Sequence, residues 1–137
     1  MSETKEVETG TPEVQRNMEV RIMDSGKDGL VFLKLFVTVT AKITVDGQVV
    51  TREWTDVAEI AATLQEDYVI VRRVCLRDCI RKEFSKKMTY EELAEWLEEM
   101  GKKMAERLEK RHIHMFTTTQ KLAERIRKRG LPVEVHI

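Results

Sequence analysis

The chain has 137 residues, 42% of them apolar and 35% charged, with 24 bases against 24 acids. That length suits one domain and that apolar share excludes wholesale disorder; no run approaches the roughly 18 apolar residues of a membrane span, and the opening MSETKEVETGTPEVQRN lacks the apolar stretch of a signal peptide. The zero net charge conceals a split: residues 1–70 hold thirteen acids and seven bases, net −6, while residues 71–137 hold eleven acids and seventeen bases, net +6.

Residues 1–16 are polar and acidic, with Gly10 and Pro12, and read as a flexible N-terminal arm ahead of a single α+β domain over 17–137. Met18–Ile22 alternates as a first strand, and Asp24-Ser25-Gly26-Lys27-Asp28-Gly29 is a turn cluster. Leu30 to Val45 is rich in β-branched and aromatic residues, and Asp46-Gly47 between two alternating runs signals a type I′ hairpin. A two-residue loop pairs Val45 with Gln48, Ile43 with Val50, Ala41 with Arg52 and Val39 with Trp54. The odd positions then form one apolar face and Thr38, Thr40, Lys42 and Thr44 a polar one. The strand's start breaks this alternation, because Phe32 and Phe36 flank Lys34 on the even face. A strand apolar on both faces needs cover on both, and a second subunit would supply it.

Thr55-Asp56 offers a helix N-cap, and Val57, Ile60, Ala61, Leu64 and Tyr68 recur at helical spacing. One long helix to about Phe84 is expected, with a strand at Tyr68–Leu76 as the alternative. Thr89-Tyr90-Glu91-Glu92 is a capping box, and Leu93, Leu97, Met100, Met104 and Leu108 form the stripe of the next helix. Thr117-Thr118-Thr119 should interrupt it, a short helix Gln120–Arg129 should stop at Gly130, and Val133–Ile137 should form a last strand after Pro132. The expected fold is α+β: a two-layer sandwich in β-β-β-α-α-β order, with a short third helix and helices on one face of an antiparallel sheet.

Two patterns point to an anionic partner. Ten bases against three acids lie between Gly101 and Arg129, among them Lys121, Arg125 and Lys128; on a helix, Arg73, Arg77 and Arg81 would stack on one face. Phe32, Lys34 and Phe36 form an aromatic and basic strand face, read first as an oligomer interface and second as a stacking platform for single-stranded nucleic acid. No catalytic, metal or cofactor signature stands out. Cys75 and Cys79 lack a second ligand pair, and His112 and His114 are two apart and diverge on a helix. The turn at Asp24 departs from a calcium loop, and the glutamates from Glu91 to Glu99 suit the acidic start of a helix. Two cysteines do not make a secreted disulfide framework, so a cytoplasmic, reducing setting is expected. One asparagine and abundant Lys, Arg and Glu give a thermophile-like balance.

Residues 118–126 and 131–135 resemble the last helix and strand of tunnelling-fold pterin enzymes. The zinc-binding synthases of that group would need histidines in the strands, and the first strands here have none, so no residue carries over. The expected function is that of a non-enzymatic, self-associating protein whose basic helices contact nucleic acid or another acidic partner. The alternative is an assembly subunit pairing its acidic half with a neighbour's basic half, without nucleic acid.

Overall fold

The computed structural model describes residues 10–75 and 81–136, with backbone alone for 81–84. Five strands come first: β1 (Glu13–Asp24), β2 (Leu30–Val45), β3 (Gln48–Leu64), β4 (Val69–Cys75) and β5 (Arg81–Met88). A helical run follows, comprising α1 (Tyr90–Leu108), a π-helical turn at Glu109–Ile113 and α2 (His114–Lys128). The strands make one antiparallel sheet in the order β1-β2-β3-β4-β5. The class is α+β, with a helix packed on the sheet. No described helix is long and apolar enough to cross a membrane.

The hairpin follows its sequence signal. Asp46 and Gly47 both take positive φ, 50° and 79°, as a type I′ turn requires. Along β2 every odd residue from Val31 to Val45 is buried, while the even residues are half-buried or exposed. At the helix start, Thr89 N–H donates to Glu92 Oε1 at 2.9 Å and Glu92 N–H to Thr89 Oγ1 at 3.1 Å, closing the capping box. The end at Gly130 is a Schellman closure: Leu131 N–H reaches Ile126 O and Gly130 N–H reaches Arg127 O. β1 begins at Glu13, so the last residues of the acidic N-terminal segment belong to the sheet, and residues 1–9 lie outside the described residues.

The element order corrects the sequence reading in three places. Residues expected as a helix from Val57 to Phe84 form the second half of β3, then β4 and the start of β5; Leu76 to Ile80 lie outside the described residues. Alanine caused the misreading. Ala58, Ile60 and Ala62 are fully buried at period two, but Ala61 between them made the run look apolar at helical spacing. Thr117-Thr118-Thr119 does not interrupt the helix. Burial of Phe116, Gln120 and Ala123 on α2 outweighs the weak helix propensity of threonine, and the irregularity falls one turn earlier, as the π turn. Residues 131–136 have no regular structure, so the last strand is absent from Val133 to His136.

The described residues divide into two compact units: 10–16, 39–54 and 107–136 in one, and 17–38, 55–75 and 81–106 in the other. In the first, Phe116 of α2 packs on Ala41, Ile43 and Val45 of β2, bordered by Val50, Trp54 and Ile113. In the second, the odd face of β2 from Val31 to Val37 is buried, as are Ile60, Val69 and Val71 of the neighbouring strands and Met104 of α1. Met18 of β1 lies against Gly101 of α1, where any Cβ would collide with its sulfur. Gly29, at the entry to β2, has φ +72°, and a Cβ there would lie 3.0 Å from Leu64 O.

Gly29→Ala should therefore lose about 1–2 kcal/mol for the left-handed backbone and a further increment for the crowded Leu64 carbonyl. Gly26→Ala, at φ +82° but in open space, should lose only the first part. Urea unfolding midpoints of the two variants check this; equal losses would contradict the close approach at Leu64.

Candidate functional site

The Asp46–Gly47 turn pairs Val45 with Gln48, and simple counting carries that register to the far end of the hairpin. Observed contacts follow it. The hydroxyls of Thr40 and Thr38 meet Glu53 Oε2 at 3.4 Å and Thr55 Oγ1 at 3.1 Å. Lys34 Nζ lies 3.8 Å from Glu59 Oε2, and Leu64 N–H donates to Gly29 O. Phe32 is thus opposite Ala61, and Ala61 in turn pairs with Arg73 of β4. Phe32, Ala61 and Arg73 form one row across three strands, on the face opposite the buried residues.

Further bases join this face within the same unit. The Arg21 guanidinium of β1 sits 4.4 Å from the centroid of the Phe36 ring. Arg72, at a bulge between Val71 and Arg73, donates from Nε to Thr63 Oγ1 at 2.8 Å. Ile70 pairs with Lys87 of β5, and the Lys87 ammonium lies 4.2 Å over the Tyr68 ring. Among the described residues, Arg21, Lys34, Arg72, Arg73 and Lys87 supply positive charge here. Glu19, bonded by Arg21 at 3.1 Å, and Glu59 oppose them, and the register sets Glu83 of β5 opposite Arg73. Cations cap Phe36 and Tyr68. The surface combines half-buried rings with mostly exposed cations, which suits stacking of planar groups and contact with phosphates.

Several sequence candidates fall elsewhere. Phe32, Lys34 and Phe36 do share a face, joined there by Arg73. Arg73, Arg77 and Arg81 are not on a helix, so their four-residue spacing stacks nothing. Arg73 is on β4 with Glu83 as its other cross-strand partner, Arg81 is on β5 opposite Cys75, and Arg77 lies outside the described residues. Lys121, Arg125 and Lys128 are exposed along one side of α2, in the other unit. Glu124, counted from sequence as an acid opposing that stripe, is instead 6% exposed with Oε2 unpartnered, one turn from buried Gln120. Arg21, Arg72 and Lys87 were missed, because only strand register, not spacing along the chain, puts them beside Phe32.

Among the described residues the histidines and Cys75 form no metal-binding cluster. His112 stacks on Trp54, with centroids 5.3 Å apart and planes 8° from parallel, while Phe116 meets the same indole edge-on at 5.9 Å. The π turn carries His112 onto that ring. His114 and His136 are exposed, and His136 Nε2 is 3.7 Å from Glu134 Oε1. Cys75 is half-buried on β4, and Cys79 lies outside the described residues. Among the described residues no three His, Cys, Asp or Glu side chains cluster as a metal site would need. The residues from Asp24 to Gly29 form the β1–β2 turn, with Gly26 N–H on Asp24 Oδ1 and Lys27 N–H on Ser25 Oγ.

Set against known proteins, the chain matches no family model, no curated protein and no solved structure.

Glu59→Gln should alter stability by less than about 0.5 kcal/mol, because the Lys34–Glu59 pair is long and its side chains are 35% and 47% exposed. Chemical denaturation checks this. A loss well beyond that would make the pair a structural element of the face rather than a surface contact.

Proposed function

We propose that this chain is a non-catalytic binding protein that takes single-stranded nucleic acid on the solvent face of its sheet, across β2, β3 and β4. The observation that carries the reading is the row Phe32–Ala61–Arg73 with Lys34 beside it. A base needs an open ring to stack on and its phosphates need cations within one nucleotide's reach. Phe32 supplies the ring, and Ala61 leaves the space beside it shallow. Lys34, Arg72 and Arg73 supply the cations, while Arg21 and Lys87 extend the positive field along the same face. In this reading the helices cover only the opposite face, as in a two-layer sandwich, which leaves the platform open.

Lys121, Arg125 and Lys128 form a second basic surface on α2, and the same experiment separates the two. Anisotropy of labelled oligothymidylate and oligouridylate is measured over a salt series. Log K should fall linearly with log salt, with a slope near 0.7 per neutralised phosphate. The Lys34→Ala/Arg73→Ala variant should reduce the slope by about 1.4. Phe32→Ala should cost about 1–3 kcal/mol of binding and leave the slope unchanged, since it removes stacking and no charge. The triple variant Lys121→Ala/Arg125→Ala/Lys128→Ala should bind nearly as the parent does. Absence of binding at low salt, or loss confined to the triple variant, would overturn the assignment to the sheet.

A further inference from the structure

β1 is the outermost strand of the sheet on its side, and all twelve of its residues are exposed. It is long for an edge and has no proline within it. It also shows apolar side chains: on its even face Val14, Met18 and Val20 are 40–42% exposed and Ile22 is 67% exposed, and on its odd face Met23 is 42% exposed. Edges of this kind present unpaired backbone donors and acceptors, and proteins ordinarily blunt them with charge, bulges or cover. The charges on β1 do not blunt it against every partner, because their order is self-complementary.

Around Val20 the strand is antisymmetric in charge and, except for Asn17 against Met23 three residues out, symmetric in hydrophobicity. One residue either side stand Glu19 and Arg21, two either side Met18 and Ile22, and four either side Arg16 and Asp24. We infer that β1 pairs antiparallel with β1 of a second copy, with Val20 on the two-fold axis, joining two five-stranded sheets into one. In this register Met18 of one copy faces Ile22 of the other and Arg16 faces Asp24 on the apolar side, while Glu19 faces Arg21 on the other side. The neighbouring registers fail. A one-residue slip turns the apolar face of one strand to the polar face of the other. A two-residue slip sets Arg21 against Arg21 and Met18 against Asp24 in one direction, or Glu19 against Glu19 and Ile22 against Arg16 in the other. Glu19 and Arg21 bond within the chain at 3.1 Å and Arg16 pairs with Glu109, so these charges are already held near their places.

This inference is independent of nucleic-acid binding and puts the self-association expected from sequence on an edge, not on the Phe32–Phe36 face. Sedimentation velocity over a concentration series, without nucleic acid, tests it. The parent should show a monomer–dimer equilibrium. Val20→Lys and Glu19→Arg should each raise the dissociation constant at least about tenfold by opposing like charges across the axis. Glu19→Arg combined with Arg21→Glu should restore the dimer, because the swap recreates both cross-strand pairs. Circular dichroism and melting confirm that each variant is folded. A parent that stays monomeric throughout would overturn the proposal. So would a folded charge-swap variant that fails to recover, or dissociation caused by Phe32→Glu with Glu19→Arg silent.

Discussion

A two-residue turn governs this structure. Asp46 and Gly47, both at positive φ, close β2 on β3 with a twist that matches the strands. Because side chains alternate strictly, that one closure decides which face every residue of a sixteen-residue strand occupies, and a one-residue slip would invert them all. The row from Val31 to Val45 is thereby committed to the interior, and Phe32, Lys34 and Phe36 to the opposite face.

The same closure sets how near the outer side chains stand. The bond from Leu64 N–H to Gly29 O makes that couple a hydrogen-bonded pair. Every second pair follows suit, so the even residues of β2 occupy the non-hydrogen-bonded positions, where Cα atoms approach to about 4.5 Å and side chains touch. The contacts Thr38–Thr55, Thr40–Glu53 and Lys34–Glu59 all fall there. Buried valines and isoleucines need no such partners; they need helix cover, and Phe116 and Ile113 provide it over Ala41, Ile43 and Val45. One alternation therefore serves packing on one side and a charged, aromatic surface on the other.

Much of this was legible in the sequence, and what was not had a physical cause. The turn, its register, the capping box at Thr89 and the stop at Gly130 are local chemistry, and local chemistry reads directly. The stretch after Thr55 was misread because alanine satisfies helical and strand periodicity equally. A further signal was present: a strand from Leu30 to Val45 joined by two residues demands a partner reaching about Thr63, which the helix reading denied it. The even face of β2 was recognised as unusual from Phe32 and Phe36, but its companions Arg21, Arg72, Arg73 and Lys87 converge only through strand order and a bulge. Neither is written in spacing along the chain. The π turn that seats His112 on Trp54 likewise has no local signature.

The central claim is the register, because every face assignment depends on it, and nuclear Overhauser contacts between Hα protons across β2 and β3 test it most directly. Non-hydrogen-bonded partners bring these protons closest. Strong cross-peaks joining Phe32 with Ala61, Lys34 with Glu59 and Thr38 with Thr55 are the predicted result. Peaks joining Phe32 with Ile60 or Ala62 instead would mean a slipped pairing and would remove Phe32 and Arg73 from a common face.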